Sequence, residues 1–204
     1  MHYAIEHHTT DYAYLVTTPR KKALKHSLIQ VTQGLMLLRL GKTEYAVEAG
    51  DSVWIPFDCL CALTFFPHTH IERVDLSVRN RLPLPTQAGY VKQSELSQAL
   101  LNKLANSAHS ADFSAAIFAL LKQEMCAFSP LLYTSTLSQA ISQWQPDGDV
   151  VLPQMQQLVL TVREAKKRMQ SGASAAQVAA ELFNENHEEF EQLYYLVTGE
   201  SVNA

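Results

Sequence analysis

The sequence predicts an α+β chain of two modules, a β-barrel at the front and an all-α region behind it that ends in a helix pair. Three observations carry that expectation. From Tyr12 to Val78 short β-rich runs are broken at close spacing by Gly34, Gly41, Gly50 and Pro56. RLPLPTQ at 81–87 is a proline-stiffened connector. After it glycine becomes rare and apolar residues recur at helical spacing. A chain of 204 residues, 47% hydrophobic, is long enough to bury a sizeable core in such modules. The expected boundaries are 1–82 for the barrel, 83–150 for linker and dimerisation helices, and 151–204 for the terminal helical unit.

Taken in order, the strand runs are DYAYLVT, HSLIQVT, LMLLRL, TEYAVEA, SVWIP and LCALTFF. Helices are expected near 94–105, 112–126, 134–144, 154–170, 174–182 and 187–198. Pro153 suits a helix first turn, Gly172 can close the helix before it, and Ser174 can cap AAQVAAEL.

The net charge of −4 gives no global case for binding nucleic acid or an anionic membrane, so any DNA contact has to be local. The three cysteines, Cys59, Cys61 and Cys126, form an odd set without CxxC spacing and read as reduced cytosolic thiols. The chain opens without a basic-then-apolar signal segment, and its apolar runs fall far short of the ~20 residues a membrane helix needs. A soluble, cytoplasmic protein is expected.

QVTQGLMLLRLGKTEYAVEAGDSVWIP resembles a cupin, in particular the effector-sensing cupin at the front of AraC-type transcription regulators. One glycine follows a strand, a second turns a hairpin, and a Gly-Asp pair leads a strand into Ile-Pro. Metal-dependent cupins add a His-x-His and Glu before the first glycine and a His after the second motif. Here Gly50 and Pro56 keep the second spacing, but Cys61 stands at the His position, Ser27 at the Glu position, and PRKKA at 19–23 offers no histidine. Without imidazole or carboxylate there, the usual ligand set cannot assemble. No metal, no cofactor and no enzymatic activity are expected.

One other constellation competes. His68, His70 and Glu72 in PHTHIE alternate, so on a strand they would share one face about 6.6 Å apart, a chelating spacing. The plainer reading is a solvent-facing strand edge, and His7 and His8 read as a solvated end. An effector cavity inside the barrel is the remaining expectation, lined by Tyr12, Tyr14, Trp54, Phe57 and Phe65 with Cys61 or His70 as polar anchors. The same aromatics also read as barrel core.

AKKRMQSGASAAQVAAELFNENHEEFEQLYYLVTGES resembles the second helix-turn-helix of the AraC family. Ala165, Met169, Gly172, Ser174, Val178, Ala179, Leu182, Phe190, Tyr194, Gly199 and Ser201 fall on pattern positions without a gap. These are core and cap positions, so the resemblance implies a retained helix pair. The departures fall at the functional places. Phe183 replaces the turn glycine, Asn184 the turn phenylalanine, Gln192 the characteristic arginine, Tyr195 a basic residue, and Val202 the final proline. After Arg168 there is no Lys or Arg. The recognition-helix stretch instead carries Glu185, Glu188, Glu189 and Glu191, which would repel phosphates where cations are needed. The first DNA-reading unit of the family is expected to be missing, because only QPDGDVV separates the helices that should flank it.

DFSAAIFALLKQEMC at 112–126 resembles the linker helices through which such regulators dimerise, and equally reads as a helix packed on its own barrel. The resemblance implies an AraC-like regulator with a small-molecule effector and a homo-oligomeric, dimeric state or a related regulator as partner, its own DNA contact weakened or lost. A second reading makes the acidic helix a docking surface for a protein, or the chain an antagonist of a full-length regulator. A third is a small metal-dependent cupin enzyme. No membrane partner is expected.

Overall fold

The computed structural model describes residues 4–106 and 110–202. The strands are β1 (Ile5–Tyr12), β2 (Val16–Thr17), β3 (Lys21–Lys22), β4 (His26–Gln33), β5 (Leu35–Leu40), β6 (Thr43–Glu48), β7 (Ser52–Ile55), β8 (Leu60–Phe65), β9 (Thr69–Leu76) and β10 (Gly89–Tyr90). The helices are α1 (Glu95–Asn106), α2 (Ala111–Cys126), α3 (Thr136–Gln143), α4 (Gln154–Gln170), α5 (Ala175–Leu182) and α6 (His187–Thr198). The α+β order of a β module followed by helices is as the sequence predicts.

The strands form two antiparallel sheets facing one another, one in the order β1-β9-β4-β7-β10 and the other β2-β8-β5-β6, with β3 also on β8. Gly34, at φ +83, turns β4 into β5 and so passes the chain from one sheet to the other. No side chain fits there: a Cβ would lie 2.8 Å from the Thr69 Cα. β10 rejoins the first sheet beside β7, so that sheet continues past the connector at 81–87.

Alternation in the strands sends apolar residues to both faces of each sheet. Ile29, Val31, Met36, Leu38, Val47, Val53, Phe65 and Ile71 meet between the sheets. Leu28, Trp54, Val74 and Leu76 face outward from the first sheet against Leu101 of α1 and Ile117, Leu121 and Met125 of α2. Leu35, Leu37 and Ala46 face outward from the second sheet into one core with Val159, Leu160 and Val162 of α4, Val178 of α5 and Phe190 and Tyr194 of α6. The terminal helices are therefore fused to the barrel by continuous apolar packing.

Polar contacts fix that docking. Ala46 N–H donates to Ser138 Oγ at 2.9 Å and Glu44 N–H to Ser142 Oγ at 3.0 Å, seating α3 on β6. Both Arg163 terminal nitrogens reach the Glu44 carboxylate at 2.9 Å, a bidentate pair between α4 and the same strand. Leu15 N–H donates to Val197 O at 2.8 Å, tying the loop after β1 to the end of α6.

Two readings of the front segment need correction. The first strand is Ile5–Tyr12, not a run beginning at Asp11, and His7 is no solvated end: its side chain is 9% exposed, 3.6 Å from Glu72. The reason is register. β1 pairs along the whole of β9, which carries His7 onto the sheet beside Glu72 while His8 stays 52% exposed.

Candidate effector cleft

The seven residues proposed to line a cavity inside the barrel do not share one. Tyr12 and Phe65 stack at 3.9 Å with rings 6° apart, and Phe65 and Cys61 are buried in the core between the sheets. These three fill the space rather than line it. Trp54 points the opposite way, into the helices over the first sheet; its Nε1–H donates to Pro85 O at 3.0 Å and its ring stands edge-on to Phe128. Tyr14 lies over Gly199 at the end of α6. Phe57 is 45% exposed in the loop after β7, against the His26 ring. His70 alternates with the inward Ile71 and is half-buried. Strand parity separates Trp54 and His70 from the lumen, a property that residue type alone does not reveal.

The His68, His70 and Glu72 constellation does not form either. His68 sits in the turn before β9 with φ +60, so it does not continue the strand, and Glu72 is engaged with His7. Among the described residues the ligand atoms that converge are those of Glu6, His8 and Asp75, within 4.8 Å of one another. Cations already occupy that cluster. Lys25 bonds Glu6 and holds its carboxyl below the usual range, while Arg73 Nε donates to Asp75 at 2.7 Å and Ser27 Oγ to the same oxygen at 2.6 Å. Its charges are balanced internally, which argues for a structural network joining β1, β4 and β9.

A concavity lies outside the barrel, where the second sheet meets α3 and α4. It has a volume of about 890 Å³, the size of a small-molecule site. Leu15, Val16, Ile141, Trp144, Pro146 and Leu160 supply apolar wall. Arg20, Arg39, Lys42, Arg163, Lys166 and Lys167 supply cations, and Glu44, Glu164 and Glu200 the carboxylates. Three of the cations are neutralised in place: Arg163 by Glu44, Lys167 by Glu164, Lys166 by Glu200 at 2.7 Å. Among the described residues Arg20, Arg39 and Lys42 make no such pair. The cleft therefore carries a positive excess within a chain of net charge −4. Sequence reading missed it because its walls come from stretches over a hundred residues apart. Its cations come from Arg20, from Arg39 and Lys42, and from Arg163, Lys166 and Lys167, so no one basic tract marks it.

The helix pair α5–α6 keeps the architecture that its pattern implies. Ser174 accepts from Gln177 N–H and Gln177 from Ser174 N–H, a complete capping box. Ala165, Val178, Ala179, Phe190 and Tyr194 are all buried. Phe183, at the turn-glycine position, is buried with its ring 4.8 Å from that of Phe190. The left-handed conformation has moved along the chain to Asn184 and Glu185, at φ 49 and 64.

Glu188, Glu191, Gln192, Tyr195 and Leu196 are exposed on α6, the face with which a recognition helix would meet a groove. Gln192 reaches Glu188 at 3.3 Å. The nearest cations, on α4, are spent on carboxylates: Arg168 bonds Glu164 and Glu181. Among the described residues no helix lies between α3 and α4.

No family model matches the chain, and no curated protein matches it. Solved structures do. Apo ToxT from Vibrio cholerae aligns over 98% of this chain and 96% of its own at 9% identity, with a TM-score of 0.46. ToxT with a bound unsaturated fatty acid aligns over 97% and 93% at 9% identity, TM-score 0.40. A cupin superfamily protein from Desulfitobacterium hafniense aligns over 38% of this chain and 71% of its own at 10% identity, TM-score 0.35.

Proposed function

We propose that the chain is an AraC-like transcriptional regulator whose effector binds between the cupin-like barrel and the terminal helices, and whose own DNA reading is weakened. The observation that carries this reading is the cleft. It joins an apolar wall to three unpaired cations, Arg20, Arg39 and Lys42, and both modules contribute to it. That composition suits an amphipathic anion, such as a carboxylate on a hydrocarbon body, whose head takes the cations while its body buries against Val16 and Trp144. Because Glu44 and Arg163 lie in the same cleft, a bound carboxylate would compete for the arginine that ties α4 to β6. Occupancy and module docking are then coupled, which is the requirement for a sensor.

The partner proposed for the outer face of α2 is a second copy. Ile117, Leu121 and Met125 are committed to the barrel, while Leu120 is 45% exposed on the other side. Sedimentation of the purified chain is expected to give a dimer, reduced to monomer by Leu120→Glu.

The ligand reading is tested by thermal unfolding in decanoate against decanol. Decanoate is expected to raise Tm and decanol, which keeps the body and lacks the charge, to raise it much less. Arg20→Ala with Arg39→Ala should abolish the difference. Equal effects of the two probes, or a shift that survives the double substitution, would remove the cleft as the site.

A further inference from the structure

The corner where β4 begins is closed by a histidine that neither the cleft nor the helix pair uses. His26 opens β4, and Phe57 N–H, in the loop after β7, donates to its Nδ1 at 3.2 Å. The ring packs on two aromatics, stacked on Trp54 at 5.7 Å with the planes 19° apart and tilted against Phe57 at 6.4 Å. The same loop is bound to the end of β3. Asp58 N–H donates to Ala23 O at 2.8 Å, Ala23 N–H to Cys59 O at 2.9 Å, and Lys22 Nζ to the Asp58 carboxylate at 3.0 Å. Asp58 takes φ 65, a left-handed conformation that the surrounding bonds must maintain. One imidazole nitrogen therefore holds the loop that holds residues 22 and 23, just after Arg20 of the cleft.

An N–H donates only to a nitrogen with a free lone pair, so this contact requires the neutral ring with its proton on Nε2. A proton on Nδ1 would turn the acceptor into a second donor facing the Phe57 N–H. Burial also disfavours the imidazolium and holds the His26 pKa below the ordinary histidine value. The Trp54 ring face acts the other way by attracting a cation, but it gives the orphaned Phe57 N–H no partner. The side chains that meet His26 from β7 and its loop, Trp54 and Phe57, carry no charge, and neither does Leu76, its partner on β9. The charged residues next to these in the chain are engaged elsewhere, Lys25 with Glu6, Asp58 with Lys22 and Asp75 with Arg73. Among the described residues the histidines that meet a carboxylate are His7 and His8, not His26.

We infer that His26 is a proton-sensitive latch: as the neutral ring it accepts the Phe57 N–H and holds the loop at 56–59 on β4, and on protonation it releases that loop and the residues 22–23 bound to it. The direction follows from the preference for the neutral form. The contact is complete above about pH 6.5, the value for an unperturbed histidine, and is lost as the pH falls through the lower value of the folded chain. The latch belongs to the barrel and stands whether or not the neighbouring cleft takes an anion.

The test uses the full chain, isotope-labelled and followed by NMR from about pH 8 to about pH 5, a range that brackets histidine titration. The neutral His26 ring is expected to carry its proton on Nε2 and to titrate below the ordinary histidine value, with the Phe57, Asp58 and Ala23 amides shifting at the same midpoint. In a Trp144→Phe chain the emission of Trp54 should fall through that midpoint too, because an imidazolium quenches an indole stacked on it. His26→Asn places an amide oxygen where Nδ1 was, an acceptor that does not titrate, so its loop amides should keep their neutral-pH positions throughout. The inference is overturned if the neutral ring is protonated on Nδ1, if His26 titrates at or above the ordinary value, if the loop amides do not follow it, or if the His26→Asn chain passes through the same transition. The wild-type spectra decide the matter even where a substituted chain fails to fold.

Discussion

At the scale of single residues, Gly199 shows how one position serves both the helix it ends and the module it touches. It takes the left-handed conformation at φ 70 and donates its N–H to Tyr195 O at 2.8 Å, stopping α6. It also lies under the Tyr14 ring, so that an added Cβ would sit 2.7 Å from a ring carbon. Gly199→Ala should therefore lose about 1 kcal/mol for the backbone conformation and about 1–2 kcal/mol more for the collision. In a Tyr14→Ala background the second part disappears. Urea unfolding of the four chains measures this coupling; the same penalty in both backgrounds would show that the ring contributes nothing. The sequence offers Tyr14 as a cavity-lining or core aromatic of the barrel. Its true neighbour is 185 residues further along the chain, and no local pattern points there.

At the scale of elements, legibility followed periodicity. The expected helices 154–170 and 187–198 match α4 and α6, and the runs at 35–40 and 60–66 match β5 and β8 to within a residue, because apolar spacing and turn residues mark both ends. β1 was illegible for the opposite reason: IEHHTTDY lacks apolar alternation, and pairing with β9 alone makes it a strand. β10, two residues long, is likewise a product of tertiary pairing with β7. The site was less legible than the fold, since parity sorts Trp54 and His70 away from Tyr12 and Phe65, and the cleft needs the strands of the second sheet together with α3 and α4 to exist.

The exposed side of α6 is testable by charge reversal. Its buried side, Phe190, Tyr194 and Val197, is intact, while Glu188, Glu191 and Gln192 hold the exposed positions. Anisotropy on a labelled duplex from the gene's own neighbourhood is expected to show no binding by the wild-type chain at physiological salt. Glu188→Lys, Glu191→Lys and Gln192→Arg together should introduce binding whose log K falls with log salt by up to about 3, one phosphate per cation. Wild-type binding with a steep salt dependence would place the cations elsewhere, with Arg20, Lys21, Lys22 and Lys25 the first to substitute.

At the scale of the whole molecule, the expectation of two modules describes the order of the chain better than its cohesion. The core that holds α4, α5 and α6 together also contains Leu15, Leu35, Leu37, Ala46 and Phe66 of the barrel, so neither side closes its apolar surface without the other. The Glu44–Arg163 pair and the Ser138 hydroxyl sit on that junction, where exposing either leaves polar groups without partners. Such packing predicts one cooperative unfolding transition. The two tryptophans are placed to test it, Trp54 between the first sheet and the helices over it, Trp144 at the end of α3 beside the cleft. In Trp54→Phe and Trp144→Phe chains the remaining indole reports one side only. Urea transitions followed by fluorescence in each should coincide with each chain's own far-ultraviolet dichroism. If the Trp144 signal instead moves at lower urea than the dichroism, the helical unit leaves the barrel first, and the cleft is a hinge that opens on an intact barrel.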